Sequence, residues 1–299
     1  MKIIFFGTPE FAVPSLQKLH NSDHEVAAIV TAPDKERGRG RKVSFSAVKQ
    51  FGVDNNIEVL QPPKLSDDIF LSRLKELNAD LFIIVAFRIL PEKVFTLPAN
   101  GSFNLHGSML PKYRGAAPIQ WAIINGDTET GLTTFFLKQK VDTGNIILQK
   151  KISIEENDNF GTLHDKMSIA GADLVIDTVY IIETGNVSLT EQDSTQATGA
   201  PKITKETCKI NWNDSAESIH NLVRGLSPFP GAYFIKDGKQ YKVYKTKIVD
   251  RQDLTPGNFE QTKKELIVGC GKNAICILEI QPEGRKRMSA EQFVIGYSV

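Results

Sequence analysis

The first hundred residues alternate short apolar runs with helical patterns, and that alternation restricts the fold more than any other feature. Ile3–Phe6, Val26–Thr31, Asp80–Phe87 and Ser102–Leu105 are apolar or β-branched and bounded by turn residues, which predicts strands. Between the first two, Pro9–His20 reads as a helix, with Thr8 as its cap, Pro9 at the first helical position and Glu10 complementing the dipole. Pro14 blurs where its regular hydrogen bonding begins. A second helix is predicted over Ser66–Leu77, with Ile69, Leu71, Leu74 and Leu77 as the apolar stripe. Apolar strands joined by helices pair into a largely parallel sheet covered on both faces. The first half is therefore an α/β domain.

Further on, Thr130–Leu137 and Ile146–Ile154 read as two strands around an Asp142-Thr143-Gly144 turn, and Thr162–Glu183 carries a long helical pattern without proline. The texture changes after Gly185. Ser188–Pro201 is polar and reads as a linker, and Ser215–Leu226 as a short helix. Strand-like stretches follow at Gln240–Val249, Glu265–Cys270, Ala274–Glu279 and Phe293–Tyr297, a spacing that predicts a small β-barrel or sandwich. No internal repeat is visible. The 299 residues thus divide into a first domain at 1–188, a linker at 189–205 and a mostly β domain at 206–299.

Charge is uneven along the chain. Residues 1–200 hold 20 Lys and Arg against 24 Asp and Glu, a net of −4, while residues 201–299 hold 16 against 11, a net of +5. A basic C-terminal third hints at a polyanionic partner, but on charge alone a plain solvated surface is the better reading. Cys208, Cys270 and Cys276 form no CxxC pair and no cluster at metal-ligand spacing, so reduced thiols and no metal are expected. The longest apolar run, Leu81–Phe87, is far short of the roughly 20 residues of a membrane helix, and Gly7-Thr8-Pro9-Glu10 cuts off the apolar start. A soluble, cytoplasmic chain with no membrane contact is the expectation.

Three stretches carry residues suited to chemistry. Gly7-Thr8-Pro9 sits where a dinucleotide fingerprint would, between a strand and a helix, but Pro9 and Phe11 stand where later glycines are required. That argues against a nicotinamide enzyme. In Ser102-Phe103-Asn104-Leu105-His106-Gly107, the period of a strand puts Asn104 and His106 on one face at its C-terminal end, the usual active-site edge of an open α/β sheet. By themselves these two residues favour a structural role over a catalytic one, since a strand histidine followed by glycine is more often structural. Asp142, in the turn Val141-Asp142-Thr143-Gly144, would add a carboxylate; an aspartate in a turn also commonly bonds its own backbone. Together Asn104, His106 and Asp142 form a general base with an oxyanion donor and no protein nucleophile. Ser108 lacks the glycine-flanked elbow that exposes a nucleophilic serine. Direct attack of a bound nucleophile on a bound acyl donor is the chemistry left. The third stretch, Pro33–Lys49, holds six basic and two acidic residues, with Arg39 between two glycines. Such a loop can clasp phosphates, or be plain surface.

Ile4-Phe5-Phe6-Gly7-Thr8-Pro9-Glu10-Phe11, Asn104-Leu105-His106-Gly107-Ser108-Met109-Leu110-Pro111, Arg114-Gly115-Ala116-Ala117-Pro118-Ile119-Gln120 and Val141-Asp142-Thr143-Gly144 resemble the folate-dependent formyltransferases. The tRNA-specific member of that family resembles the chain also in Pro33-Asp34, Gly38-Arg39-Gly40, Ala200-Pro201-Lys202-Ile203 and the run Arg224–Ala232, so the resemblance covers nearly the whole chain. It implies a Rossmann-like catalytic domain, a linker and an OB-like β-barrel that binds tRNA. It implies formyl transfer from 10-formyltetrahydrofolate, as co-substrate, to the α-amine of methionine on initiator tRNA, with no metal and no obligate protein partner. Asn104, His106 and Asp142 become the catalytic group. Ser108, Met109, Leu110 and Pro111 become the folate site, although Met109 and Leu110 fit a core equally well. Arg37, Arg39, Arg41 and Lys42 become the tRNA-contacting loop. Phe87-Arg88-Ile89-Leu90-Pro91 is shorter than the Tyr-Gly-containing stretch that borders the folate pocket in many members; Arg88 there is either a new pocket charge or turned outward.

Three rival readings remain. A formyltransferase for an amino-sugar nucleotide keeps the same chemistry but calls for neither the basic C-terminal domain nor the Gly38-Arg39-Gly40 loop. A 10-formyltetrahydrofolate hydrolase puts water in place of the amine. A catalytically dead tRNA-binding module has no need of an intact Asn104, His106 and Asp142.

Overall fold

A computed structural model describes residues 1–37 and 42–297. It resolves into two compact units. The first gathers Met1–Gly115, Gly131–Ile152 and His164–Gly199; the second gathers Ala116–Thr130, Ser153–Leu163 and the chain from Ala200 onward.

The first unit is built on a seven-stranded sheet. In chain order its strands are β1 (Lys2–Gly7), β2 (Glu25–Val30), β3 (Glu58–Leu60), β4 (Leu81–Val85), β5 (Ser102–His106), β6 (Glu129–Phe136) and β7 (Ile146–Ser153). Their spatial order is β7-β6-β5-β4-β1-β2-β3. Strands β3, β2, β1, β4 and β5 run parallel, and β6 is antiparallel to β5. This is the Rossmann-like, mostly parallel sheet that the apolar runs predict. Ile3, Ile4, Phe5 and Phe6 are all completely buried, as expected of a strand covered on both faces. On one face Ile4, Phe6, Phe82 and Ile84 pack with Phe70, Leu74 and Leu77 of the helix Asp68–Leu77. The buried stripe of that helix is Phe70, Leu74 and Leu77, spaced i, i+4, i+7, with Leu71 partly buried against the same core; of the predicted residues only Ile69 departs, at 82% exposed, and Phe70 takes its place. Asp67, which accepts from the amides of Ile69 and Phe70, caps it.

The start of the first helix also differs from expectation. Glu10–Ala12 is a 3-10 turn after Pro9, regular helix begins at Val13, and Thr8 does not cap it. Pro14 sits in the first turn, where its missing N–H costs nothing. The long helix Phe160–Glu183 lies against the sheet through Gly171, where a Cβ would stand 2.7 Å from Leu105 Cδ2. That close approach fixes β5, which carries Asn104 and His106.

In the second unit an antiparallel sheet joins Ala232–Lys236, Lys239–Val249, Ala274–Pro282, Leu266–Gly269 and Phe259–Gln261 in that order, with Met288–Ser289 pairing the long third strand. The first hairpin turns at Asp237-Gly238, both with positive φ (50° and 74°), the torsions a two-residue hairpin turn requires. Its inner face packs Val243, Leu266, Ile275 and Ile277 against Ile219, Val223 and Leu226, which come largely from the helix Ala216–Gly225. Of the stretch Phe293–Tyr297, expected as a strand, residues 293–296 belong instead to the helix Ala290–Gly296, and Tyr297 is its extended C-cap; at the other end Ser289 and Gln292 cap each other reciprocally. No helix among the described residues is long and apolar enough to cross a membrane.

Candidate active site

Parallel register lines up the C-terminal ends of the central strands: Gly7 of β1 stands opposite Val85 of β4, and Val85 opposite Leu105 of β5. His106 follows one residue later, at the carboxyl edge of the sheet, where open α/β folds place their sites. Strand alternation sends Phe103 and Leu105 into the core and leaves Asn104 half-buried on the other face, on the side of His106. The Asn104 amide makes no hydrogen bond to any described residue, so its N–H donors are open to a ligand.

His106 is buried, held by a hydrogen bond at one ring nitrogen and faced by a carboxylate at the other. Nε2 lies 2.9 Å from the carbonyl oxygen of Tyr113, and because a carbonyl only accepts, Nε2 carries a proton in that bond. Nδ1 faces Asp142 Oδ2 at 4.0 Å, within ion-pair range and too long for a hydrogen bond. The ring meets Phe135 edge-on, 6.5 Å between centroids.

The Asp142 loop owes its shape to two features. Asp142 has φ +53°, a left-handed conformation that aspartate tolerates better than most residues. Gly144 presses the loop onto β6: any Cβ there would overlap the carbonyl oxygen of Phe136. The Asp142 carboxylate accepts from the Gly115 amide at 2.9 Å, which aims Oδ2 toward His106. Asn104, His106 and Asp142, drawn from β5 and from the turn after β6, therefore lie within one unit, and the ring faces the carboxylate.

The turn after His106 is tightly wired. Thr133, opposite His106 on β6 and fully buried, donates to the Ser108 carbonyl (2.7 Å) and accepts from the Leu110 amide (3.1 Å). Gln149 Nε2 donates to the Leu110 carbonyl (2.9 Å) and to Thr133 Oγ1 (3.0 Å). Ser108 is completely buried and gives its hydroxyl to the Lys112 carbonyl (2.6 Å), and Leu110 packs with Phe135 and Ile146. Met109, half-buried, occupies the space that a side chain at Gly131 would take. Pro111 follows a cis peptide bond.

Thr133, Gln149 and Gln192 shape the site without any mark in the sequence. Each is a single polar residue in a strand or a polar stretch, and no spacing marks it. Arg88 has an answer: it is exposed and donates to the carbonyls of Pro62 (2.9 Å) and Pro63 (3.2 Å), with its guanidinium 5.3 Å from the centre of the Phe87 ring. Of the basic loop, Arg39 and Arg41 lie outside the described residues. Arg37 and Lys42 pair across a short hairpin formed by Lys35–Arg37 and Lys42–Ser44. Among the described residues no group of His, Cys, Asp and Glu is placed to hold a metal ion.

A mostly parallel sheet with an amide, an imidazole and a carboxylate at its carboxyl edge, beside which the hydroxyls of Ser108 and Thr133 are buried and donated to carbonyls, suits transfer of an acyl group between two bound molecules. Residues 1–179 match the family Formyl transferase, and residues 202–298 match its C-terminal domain. The chain belongs to the formyl transferases, and within them to the methionyl-tRNA formyltransferase family. Over 302 residues it is 47% identical to the methionyl-tRNA formyltransferase of Caldanaerobacter subterraneus subsp. tengcongensis, covering 100% of this chain and 98% of that one. It is 46% identical over 302 residues to the same enzyme of Flavobacterium johnsoniae, covering 99% and 96%. An N-formyltransferase from Helicobacter canadensis, solved with folinic acid and dTDP-3-aminofucose, has the same fold, with a TM-score of 0.71 at 22% identity over 93% of this chain and 98% of its own.

Proposed function

We propose that the protein transfers the formyl group of 10-formyltetrahydrofolate to the α-amine of methionyl initiator tRNA in the cytoplasm. The observation that carries this reading is full-length identity of 47% to a methionyl-tRNA formyltransferase, joined to an Asn104, His106 and Asp142 group on one sheet edge.

The amine nitrogen attacks the formyl carbon, and the formyl oxygen becomes an oxyanion. The Asn104 amide donates to it. His106 in its charged form donates through Nδ1, because the 4.0 Å gap leaves that N–H uncaptured by Asp142. Asp142 takes the proton that the amine loses, directly or through water, and its charge supports the imidazolium. Collapse then breaks the bond between the formyl carbon and the folate nitrogen, which takes up the proton held by Asp142 as it leaves and so restores the carboxylate. The backbone of the Ser108–Pro111 turn, fixed by Thr133 and Gln149, supplies the rigid polar edge of the folate site.

Two surfaces take the tRNA in this reading: the basic loop with Arg37, Arg39, Arg41 and Lys42, and the C-terminal sheet, read as an OB-like barrel, in the segment whose net charge is +5. The test is formyl transfer from 10-formyltetrahydrofolate to methionyl-tRNA, run beside an amino-sugar nucleotide and a no-acceptor control. Transfer to the sugar alone, or formate release without acceptor, overturns the reading in favour of a sugar formyltransferase or a hydrolase.

A further inference from the structure

Gln192 lies in the polar stretch that the sequence reads as a linker, yet it is only 8% exposed. Its Nε2 donates to two carbonyl oxygens of the Asp142 turn, those of Asp142 (3.0 Å) and Gly144 (2.8 Å). Its Oε1 accepts from Nε (3.0 Å) and from a terminal nitrogen (2.6 Å) of the Arg114 guanidinium. Two carbonyl acceptors on one side and a guanidinium on the other admit one orientation of the amide, and all of its partners are then matched.

Six residues on, Thr198 grips the other support of the imidazole. Its hydroxyl oxygen accepts from the Tyr113 amide (2.9 Å), and its carbonyl accepts from the Arg114 amide (2.9 Å). Tyr113 has φ +59°, and its own carbonyl holds His106 Nε2. One short polar segment therefore braces the polar surroundings of both His106 ring nitrogens: the acceptor at Nε2 and the loop that carries the carboxylate facing Nδ1.

We infer that Gln192, held by Arg114, is a positioning residue that sets the Asp142 carboxylate against His106 for formyl transfer. Asp142 sits in a left-handed turn whose backbone is held by hydrogen bonds and by the close approach of Gly144 to β6. A donor pair that clamps the carbonyls on either side of Thr143 fixes where Oδ2 points. Ångström-scale misplacement of a reacting group costs on the order of a hundredfold in rate. The inference rests on Asp142 acting in the reaction as proposed above.

A double-mutant cycle tests it, reading single-turnover formyl transfer and the KM of each substrate for Gln192→Leu, Asp142→Asn and the pair. Gln192→Leu is expected to slow transfer about ten- to a hundredfold with both KM values little changed. In the Asp142→Asn background the same substitution is expected to cost almost nothing, because the group it positions is gone. A purely structural role moves both backgrounds alike, so equal cost in the two overturns the inference while leaving the function intact. A full-rate Asp142→Asn enzyme overturns both. Should Gln192→Leu fail to fold, Arg114→Met keeps the amide and removes only its anchor. It should show a smaller loss in transfer rate that likewise vanishes with Asp142→Asn, and a loss that persists there overturns the inference.

Discussion

His106 Nδ1 and Asp142 Oδ2 stand 4.0 Å apart, both side chains largely buried, with no hydrogen bond between them. The carboxylate is meanwhile bonded to the Gly115 amide, and the imidazole to the Tyr113 carbonyl. Each partner is thus oriented by backbone, not by the other. Asp142→Asn keeps the shape and removes the charge, so it is expected to slow transfer by roughly 10²–10⁴, the usual share of general acid–base catalysis, with tRNA KM little changed. Single-turnover kinetics decide the matter: an unimpaired variant reduces Asp142 to a turn residue.

Asn104 offers a cleaner separation, because its amide has no partner among the described residues and its loss leaves nothing unsatisfied. Removing one oxyanion donor typically costs about 2.7–4 kcal/mol, or ~10²–10³ in kcat. Asn104→Ala should fall in that range while binding tRNA as before. A near-parental kcat removes it from the mechanism.

Much of this site was legible because strand physics makes it so. β1 and β4 are covered on both faces and therefore read as unbroken apolar runs, while the two-residue period in β5 puts Asn104 and His106 together. What escaped depends on neighbours distant in sequence. Gln192, Thr133 and Gln149 look like ordinary polar residues until the turns they hold are folded against them. Phe293–Tyr297 misled through its aromatic and β-branched content, whereas the Ser289 and Gln292 pair just before it carried the helix signal. Ile69 and Phe70 are adjacent and both apolar, and only packing against Phe82 and Ile84 selects Phe70.

The basic stretch predicts a salt signature. Each phosphate contact made by Lys or Arg releases condensed counterions, so losing one lowers the dependence of binding on salt. Arg39→Ala is expected to raise the KM for tRNA and to flatten its salt slope, with transfer at saturating tRNA preserved. Titration of KM against ionic strength checks it, and unchanged values at every salt concentration show that Arg39 makes no contact.

Gly144 is the loop's steric requirement. A methyl group there meets the Phe136 carbonyl, so Gly144→Ala must push the Asp142 turn off β6. Overpacking against backbone falls at the severe end of such changes, roughly 3 kcal/mol, or a Tm loss on the order of 10 °C for a domain of this size. Calorimetry should show that loss together with slowed transfer. A variant as stable as the parent would mean that the turn yields freely.

His220 makes the C-terminal unit sensitive to acid. Its Nδ1 is 2.8 Å from Thr246 Oγ1, and burial, reinforced by the Arg224 guanidinium and only partly opposed by Glu156, holds its pKa below the usual 6.5. The folded protein therefore keeps His220 neutral at a pH where the unfolded chain already binds a proton. By linkage, the stability this contributes is complete above pH 6.5 and declines as pH falls toward the lowered folded value. His220→Gln removes the titration and should flatten that part of the stability profile. Denaturant midpoints measured across this interval for parent and variant test the effect, and parallel profiles would assign the acid sensitivity to other groups.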